Sequence, residues 1–329
     1  MAREDEMQRS RNRNRRRRRR ARCIRRIAMR TLALLLLLAA LGCAFYLGRH
    51  YLQEYRTRRT NDQLKQLYNG APAGTAQSEP TAIPEPQASA QVSPVLESAS
   101  IGWSGSAQQD AQMPVAQDEP LPPVQASFQA LRAENGDVRA WLQMGDQIDL
   151  PVVQRDNSYY LDHDFYGKSS NAGALFLDAR NCFWPADQNL IVYGHNMKDG
   201  TMFGTLNFFR TLENLQAHPL VQFNTIYEDG QYVPFALFDA SMAKGNAAYF
   251  DLLRFNFASA EDFGAFVTEA RQRSLFSIPV EVGPGDALLT LCTCSYTLED
   301  GRFLIVCRKL RPGESAEDVA ALVSQSVPN

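Results

Sequence analysis

The chain lacks the cysteine and histidine spacing that holds a metal ion, and it lacks a disulfide framework. Its six Cys are scattered over 329 residues. Cys292 and Cys294 stand two apart with no His nearby in sequence, a spacing unlike that of a structural zinc site. Cys182, Cys292, Cys294 and Cys307 are too few for a domain of this length to be built on disulfides. Lys is missing from residues 1–30, Lys and Arg are both missing between Lys65 and Arg132, and no charge of either sign occurs from Thr31 to Gly48. These gaps exclude one uniformly mixed globular surface and divide the chain into unlike segments.

What is present sharpens the division. Residues 1–30 hold 14 Arg against three acids, a charge of +11, which leaves −13 for the rest of a chain whose net charge is −2. An Arg run such as Arg15–Arg20 suits an RNA-binding arm or a localisation tag. The uncharged stretch that follows argues otherwise: 18 residues of helix span about 27 Å, near the hydrocarbon thickness of a bilayer. Arg-rich residues ahead of a span keep that end in the cytoplasm. The expected layout is a cytoplasmic tail (1–30), a transmembrane anchor (31–48) and the remainder outside the cell membrane, with no nucleic-acid partner. A cleaved signal is the competing reading, but no small-x-small site follows the apolar run cleanly. Gly42-Cys43 hints at a lipoprotein site, although Leu41 stands where a small residue is wanted.

Residues 51–68 read as a polar helix leaving the membrane. Beyond them, nine of the 17 Pro fall between Pro72 and Pro123 among Ala, Gln and Ser. This composition has too few large apolar residues for a core, so 69–125 is expected to be disordered, completing a stalk and linker segment assigned to 49–125 that opens with this helix. As a flexible coil, 69–125 would average about 40–45 Å end to end.

The folded unit is expected over 126–329. Phe128-x-x-Leu131 and Val138-x-x-Trp141-Leu142 have helical spacing, broken at Asn135-Gly136. Strands are expected at 150–154, 174–177, 189–193, 220–224, 232–243, 278–282, 287–293 and 303–310, with helices at 201–206, 260–274 and 315–326, the last capped by Ser315. Eight strands without strict strand-helix alternation predict a mostly β fold: an eight-stranded barrel with helical additions.

Three segments carry reactive side chains at strand ends: Tyr193-Gly194-His195-Asn196-Met197, Thr290-Leu291-Cys292-Thr293-Cys294, and Gly301-Arg302. A thiol attacks as its thiolate, which a nearby cation stabilises. A His supplies that cation or acts as base, and later protonates a leaving amine. An Arg stabilises the oxyanion on the attacked carbonyl. Antiparallel strands joined through 295–301 would bring Cys294 and Arg302 to one barrel mouth. Each residue also has an ordinary reading: a core thiol, a turn His, a surface Arg. Spacing alone leaves both open.

Thr290-Leu291-Cys292-Thr293-Cys294 resembles the TLxTC signature of sortases. The run from Asn189 through Gly194-His195-Asn196 to Phe203-Gly204 resembles the His segment of class B sortases. Pro151-Val152-Val153-Gln154 with Asp156-Asn157-Ser158-Tyr159-Tyr160-Leu161 is similar to an upstream block of the same class. The resemblance covers roughly residues 128–311. It implies a sortase-type barrel with N-terminal helices and a helix before the Cys-bearing strand, to which 128–142 and 260–274 are assigned. It implies Cys294 as nucleophile, with His195 and Arg302 as its catalytic partners. Asn157, Leu161, Cys292, Thr293 and Ser295 are then substrate-binding positions.

The activity so implied is transpeptidation. A sorting signal is cut after Thr, a thioacyl enzyme forms, and the acyl group passes to an amine of the cell wall or of a pilin. The partners are surface proteins bearing that signal, the acceptor amine and the bilayer. No metal or organic cofactor is implied, and a monomer is expected. A cysteine hydrolase and a catalytically silent peptide-binding adaptor are the competing functions; the complete Cys-His-Arg set argues against the adaptor. Cys292 departs from the usual Ser of the signature, either as a stand-in for it or as an oxidisable second thiol. Asp178, Cys182, His163 and His218 read as structural. Cys307 is a better disulfide partner than Cys294 for Cys292, because two cysteines two apart on a strand bridge only with strain.

Overall fold

A computed structural model describes residues 2–70 and 121–329, save 296, 297 and 299, and side chains from Leu35 onward except that of His50. Eight strands close into a barrel: β1 (Val138–Met144), β2 (Ile148–Val153), β3 (Leu175–Leu177), β4 (Asn189–Gly194), β5 (Val221–Thr225), β6 (Gln231–Ser241), β8 (Leu288–Cys294) and β9 (Gly301–Lys309). Around the barrel the order is β1-β2-β3-β4-β8-β9-β6-β5, with β5 returning to β1. β7 (Phe276–Ser277) and β10 (Val327–Pro328) pair separately. Pairs β2/β3 and β4/β8 are parallel, and the others are antiparallel.

The barrel has the expected eight strands, but not the expected members. Val138-x-x-Trp141-Leu142 forms strand β1, not helix. The helix before it, α2 (Ala126–Glu134), stops where Asn135 turns extended and donates its side-chain amide to the Phe165 carbonyl and the Tyr160 hydroxyl. β1 looks helical in sequence because both of its faces are covered. Val138, Ala140, Leu142 and Met144 are buried on one, and Trp141 is equally buried on the other.

Residues 278–282, expected as a strand, lie outside any ladder. Ile278 and Val280 alternate inward because Arg271 of α4 (Ala260–Arg273) donates its guanidinium to both their carbonyls. That side chain supplies what a neighbouring strand would. α4 itself runs nearly as expected, capped by Ser259 and burying Phe263, Phe266, Val267 and Ala270. The expected 201–206 helix is a 3-10 segment at Phe203–Arg210, followed by α3 (Leu212–Ala217). α5 (Ala316–Val323) starts on the Ser315 cap, whose hydroxyl accepts from the Asp318 amide at 3.0 Å.

The long helix α1 (Ala2–Asn69) contains a stretch from Leu35 long and apolar enough to cross a membrane. Its last turns dock on the barrel: Leu64 is buried, Tyr68 stacks on Trp141 at 4.4 Å, and Asn224 donates to the Tyr68 hydroxyl at 2.9 Å. Residues 49–69 run as helix from the apolar stretch onto the barrel, as the polar-helix reading of 51–68 expected. Within the expected stalk, 71–120 lies outside the described residues. The chain re-enters beside the same strand, where Gln125 bonds the carbonyls of Thr225 and Ile226.

Candidate active site

Strand pairing assembles the site. In the parallel pair β4/β8, Tyr193 faces Cys292 and Gly194 faces Thr293, so His195 and Cys294 follow one rung further on at the same end. In the antiparallel pair β8/β9, Cys294 is directly opposite Arg302. Directly opposed residues have Cβ atoms about 4.5–5.5 Å apart. The connection between the two strands is held by the Ser295 amide, which donates to the Gly301 carbonyl at 2.8 Å, and by Asp300 in the left-handed region (φ 48°). His195, Cys294 and Arg302 thus end three adjacent strands at one mouth of the barrel, and each is half-buried.

The imidazole is oriented by backbone. His195 Nε2 lies 2.6 Å from the Leu161 carbonyl oxygen. A carbonyl only accepts, so Nε2 carries a proton and Nδ1 is the nitrogen that can take or give one. The ring is backed by Gly173, at φ +60°, where a Cβ would come within 2.3 Å of the Tyr160 carbonyl and 3.2 Å of His195 Cδ2. A side chain there would push the loop off the ring. Two further bonds tie β4 to β8: Asn196 donates its amide to the Cys294 carbonyl at 2.7 Å, and the Thr293 hydroxyl donates to the Gly194 carbonyl at 2.8 Å. Arg302 donates to the Gly301 carbonyl at 2.9 Å.

The expected substrate-binding residues are placed less openly. Cys292 is only 1% exposed, and burial pushes its thiol up to about 12, with Arg302 acting weakly the other way. Thr293 and Ser295 are also buried, and the Ser295 hydroxyl donates to Asp239 at 2.6 Å. Asn157 spans two loops: its carbonyl accepts from the Ala179 amide at 2.7 Å and its amide donates to Asp178 at 3.3 Å. Leu161 serves the site through its carbonyl on His195.

Asp178 does not bond the imidazole. It is fully buried and accepts from Tyr193, Asn157 and Arg180; burial raises its pKa, but the Arg180 bonds outweigh burial and hold it below the usual carboxylate range. Cys307 does not bridge to Cys292. It pairs with Leu289 whereas Cys292 pairs with Leu304, three rungs away and on the opposite sheet face. Cys43, Cys182, Cys292, Cys294 and Cys307 are all free.

Among the described residues no group of three or more His, Cys, Asp or Glu is placed to hold a metal ion. A cavity of about 150 Å³ between α1 and the barrel is lined by Arg56, Leu64, Pro151 and Lys168, and none of the three mouth residues lines it. Sequence reasoning missed Asn196, although it follows His195 directly. It also missed Asp239, which the barrel register brings near Cys294, and Arg210, which pairs with Asp239 from the 3-10 segment.

No family model matches the chain. Sortase B of Listeria monocytogenes is 32% identical over 186 residues, covering 55% of this chain and 73% of that protein. The crystal structure of sortase B from Bacillus anthracis in complex with AAEK1 superposes with a TM-score of 0.58 at 25% identity, covering 79% of this chain and 99% of that one. A Staphylococcus aureus sortase B–substrate complex matches with a TM-score of 0.52 at 26% identity, over 57% of this chain and 87% of that one.

Proposed function

The chain belongs to the sortase B family of cysteine transpeptidases, and from that premise we propose that Cys294, His195 and Arg302 are its catalytic residues. The observation that carries the assignment is the register: Cys294 opposite Arg302 on β9, and one rung beyond the His195-bearing end of β4. The Cys294 thiolate attacks the carbonyl carbon of the Thr of a sorting signal. The oxyanion forms against the Arg302 guanidinium, a stabilisation that acts on the transition state more than on the ground state. His195 protonates the leaving amine from Nδ1, because Nε2 is committed to the Leu161 carbonyl. An incoming amine then attacks the thioester, gives its proton to the same nitrogen, and expels the thiolate.

The substrate is an extended sorting peptide, as the substrate-bound Staphylococcus aureus relative suggests. The acceptor is an amine of the cell wall or of a pilin. Asn157, Leu161, Cys292, Thr293 and Ser295 support the mouth from behind its substrate-facing surface, since the polar groups of Asn157, Thr293 and Ser295 are engaged within the protein. The apolar part of α1 anchors the enzyme, with the Arg-rich end in the cytoplasm and the barrel outside.

The test is mass spectrometry of the full chain in detergent, incubated with Leu/Ser/Asn-Pro-x-Thr-Gly/Asn peptides and an amine acceptor. A Cys294 adduct followed by an amide-linked product supports the proposal. Free acid as the only product with every amine would make the chain a hydrolase. Turnover retained by Cys294→Ala would refute the site.

A further inference from the structure

A closed ring of hydrogen bonds runs beneath the mouth. Asn196 donates to the Cys294 carbonyl at 2.7 Å, and Asn207 donates to the Asn196 side-chain oxygen at 2.9 Å. Arg210 Nε donates to the Asn207 side-chain oxygen at 3.0 Å, and its two terminal nitrogens donate to the Asp239 carboxylate at 2.7 and 2.8 Å. Asp239 accepts the Ser295 hydroxyl at 2.6 Å. Ser295 is covalently next to Cys294, so the chain of bonds ends one residue from where it began.

The ring holds the nucleophile from behind. Asp239 pairs with Phe303, and Phe303 with Thr293. Alternation along the strands puts these three on the face opposite Cys294 and Arg302. The Arg210 guanidinium stacks on that side, 3.8 Å from the centre of the Phe303 ring. No ring side chain therefore shares the face on which the thiol and Arg302 stand. Among the described residues the ring meets the reacting groups through their neighbours: Asn196 follows His195, and Ser295 follows Cys294. A bidentate Arg–carboxylate pair adds geometric specificity as well as energy at such a point. Arg210 is 26% and Asp239 20% exposed, so water screens the pair only in part.

We propose that Arg210 and Asp239 are positioning residues that set the Cys294–His195 geometry for acyl transfer, acting through Ser295 and Asn196. The inference rests on the catalytic assignment above. Loosening the ring shifts the end of β8 relative to the end of β4, and a displacement of about 1 Å at a reacting pair costs about 100-fold in rate.

The test uses the full chain in detergent, with Arg210→Gln, Asp239→Asn, Ser295→Ala and Ser295→Thr. Iodoacetamide alkylation of Cys294 is followed by peptide mapping, so that only this thiol counts and no substrate is needed. Peptide turnover is measured beside it. Arg210→Gln and Asp239→Asn are expected to slow alkylation about 10-fold and to lower kcat about 10- to 100-fold, with KM within about 2-fold. The double variant should cost no more than the worse single one, as befits one unit. Ser295→Thr, which keeps the hydroxyl, should restore what Ser295→Ala loses.

A merely structural ring would lower the melting temperature while leaving alkylation and kcat per folded molecule unchanged in every variant, and that result would overturn the proposal. Turnover surviving in Cys294→Ala would instead remove the catalytic assignment on which it rests.

Discussion

The rim and the interior of one sheet carry the same chemistry to opposite ends. At the rim of β4–β8–β9, Cys294 is half-buried beside Arg302 and His195. One rung pair deeper on the same face, Cys292 is sealed beside Tyr193 and Leu304, and its thiol is pushed up to about 12 by burial. Arg302 stands opposite Cys294 and favours the thiolate of Cys292 as well, yet at Cys292 desolvation wins. Depth, more than residue type, separates the proposed nucleophile from a small apolar filler.

The sharpest way to break this contrast is to remove each thiol in turn. Cys294→Ala is expected to lower transpeptidation by about 10³-fold or more, because no water or neighbouring group replaces a covalent nucleophile. Cys292→Ala should leave the rate per folded molecule within a few-fold and cost about 1–2 kcal/mol of stability for the small cavity. Turnover and thermal melts on both variants decide it. Equal losses of rate would mean that Cys292 belongs to the reacting group after all.

The second test moves along the rim. Arg302→Gln is expected to lower kcat about 100- to 1,000-fold, the usual effect of deleting one oxyanion donor, with KM changed little. Arg302→Lys keeps the charge but loses the planar fork, so its rate should fall between the two. A loss confined to KM would assign Arg302 to substrate binding.

How much of this was legible in the sequence follows the same division. The rim was legible because His195, Cys294 and Arg302 each end a short apolar run bounded by turn residues, and their order resembles one family. The barrel wall was not. Trp141 was assigned to a helix because nothing local shows that Tyr68 covers it from 73 residues away across an intervening Pro-rich segment. Residues 278–282 passed for a strand because Arg271 mimics a neighbour. Arg210 and Asp239 carried no local signal, since their meeting depends on the Phe203–Arg210 segment packing against β6.

The docked helix offers an interior-type contact remote from the rim. Tyr68→Ala removes the stack on Trp141 and the edge contact with Phe128 at 5.3 Å. It should cost about 2 kcal/mol of stability and leave turnover of the folded enzyme unchanged. Denaturant melts paired with activity on the same samples measure both.

The smallest effect tests depth itself through alkaline pH. A thiol whose pKa rises from 9.0 unfolded to about 12 folded holds its proton in the native state after the unfolded chain has lost it. Its contribution is therefore complete below pH 9 and falls as pH rises towards 12, because the unfolded state then binds fewer protons. Between pH 8 and pH 10 this amounts to about 1 kcal/mol for Cys292, with buried Cys307, raised in the same direction, adding to it. Cys292→Ala should flatten the alkaline limb of a stability-versus-pH curve by that amount. If the limb is unchanged in Cys292→Ala, the thiol is reached by water in solution, and depth no longer explains why one cysteine of the pair reacts and the other does not.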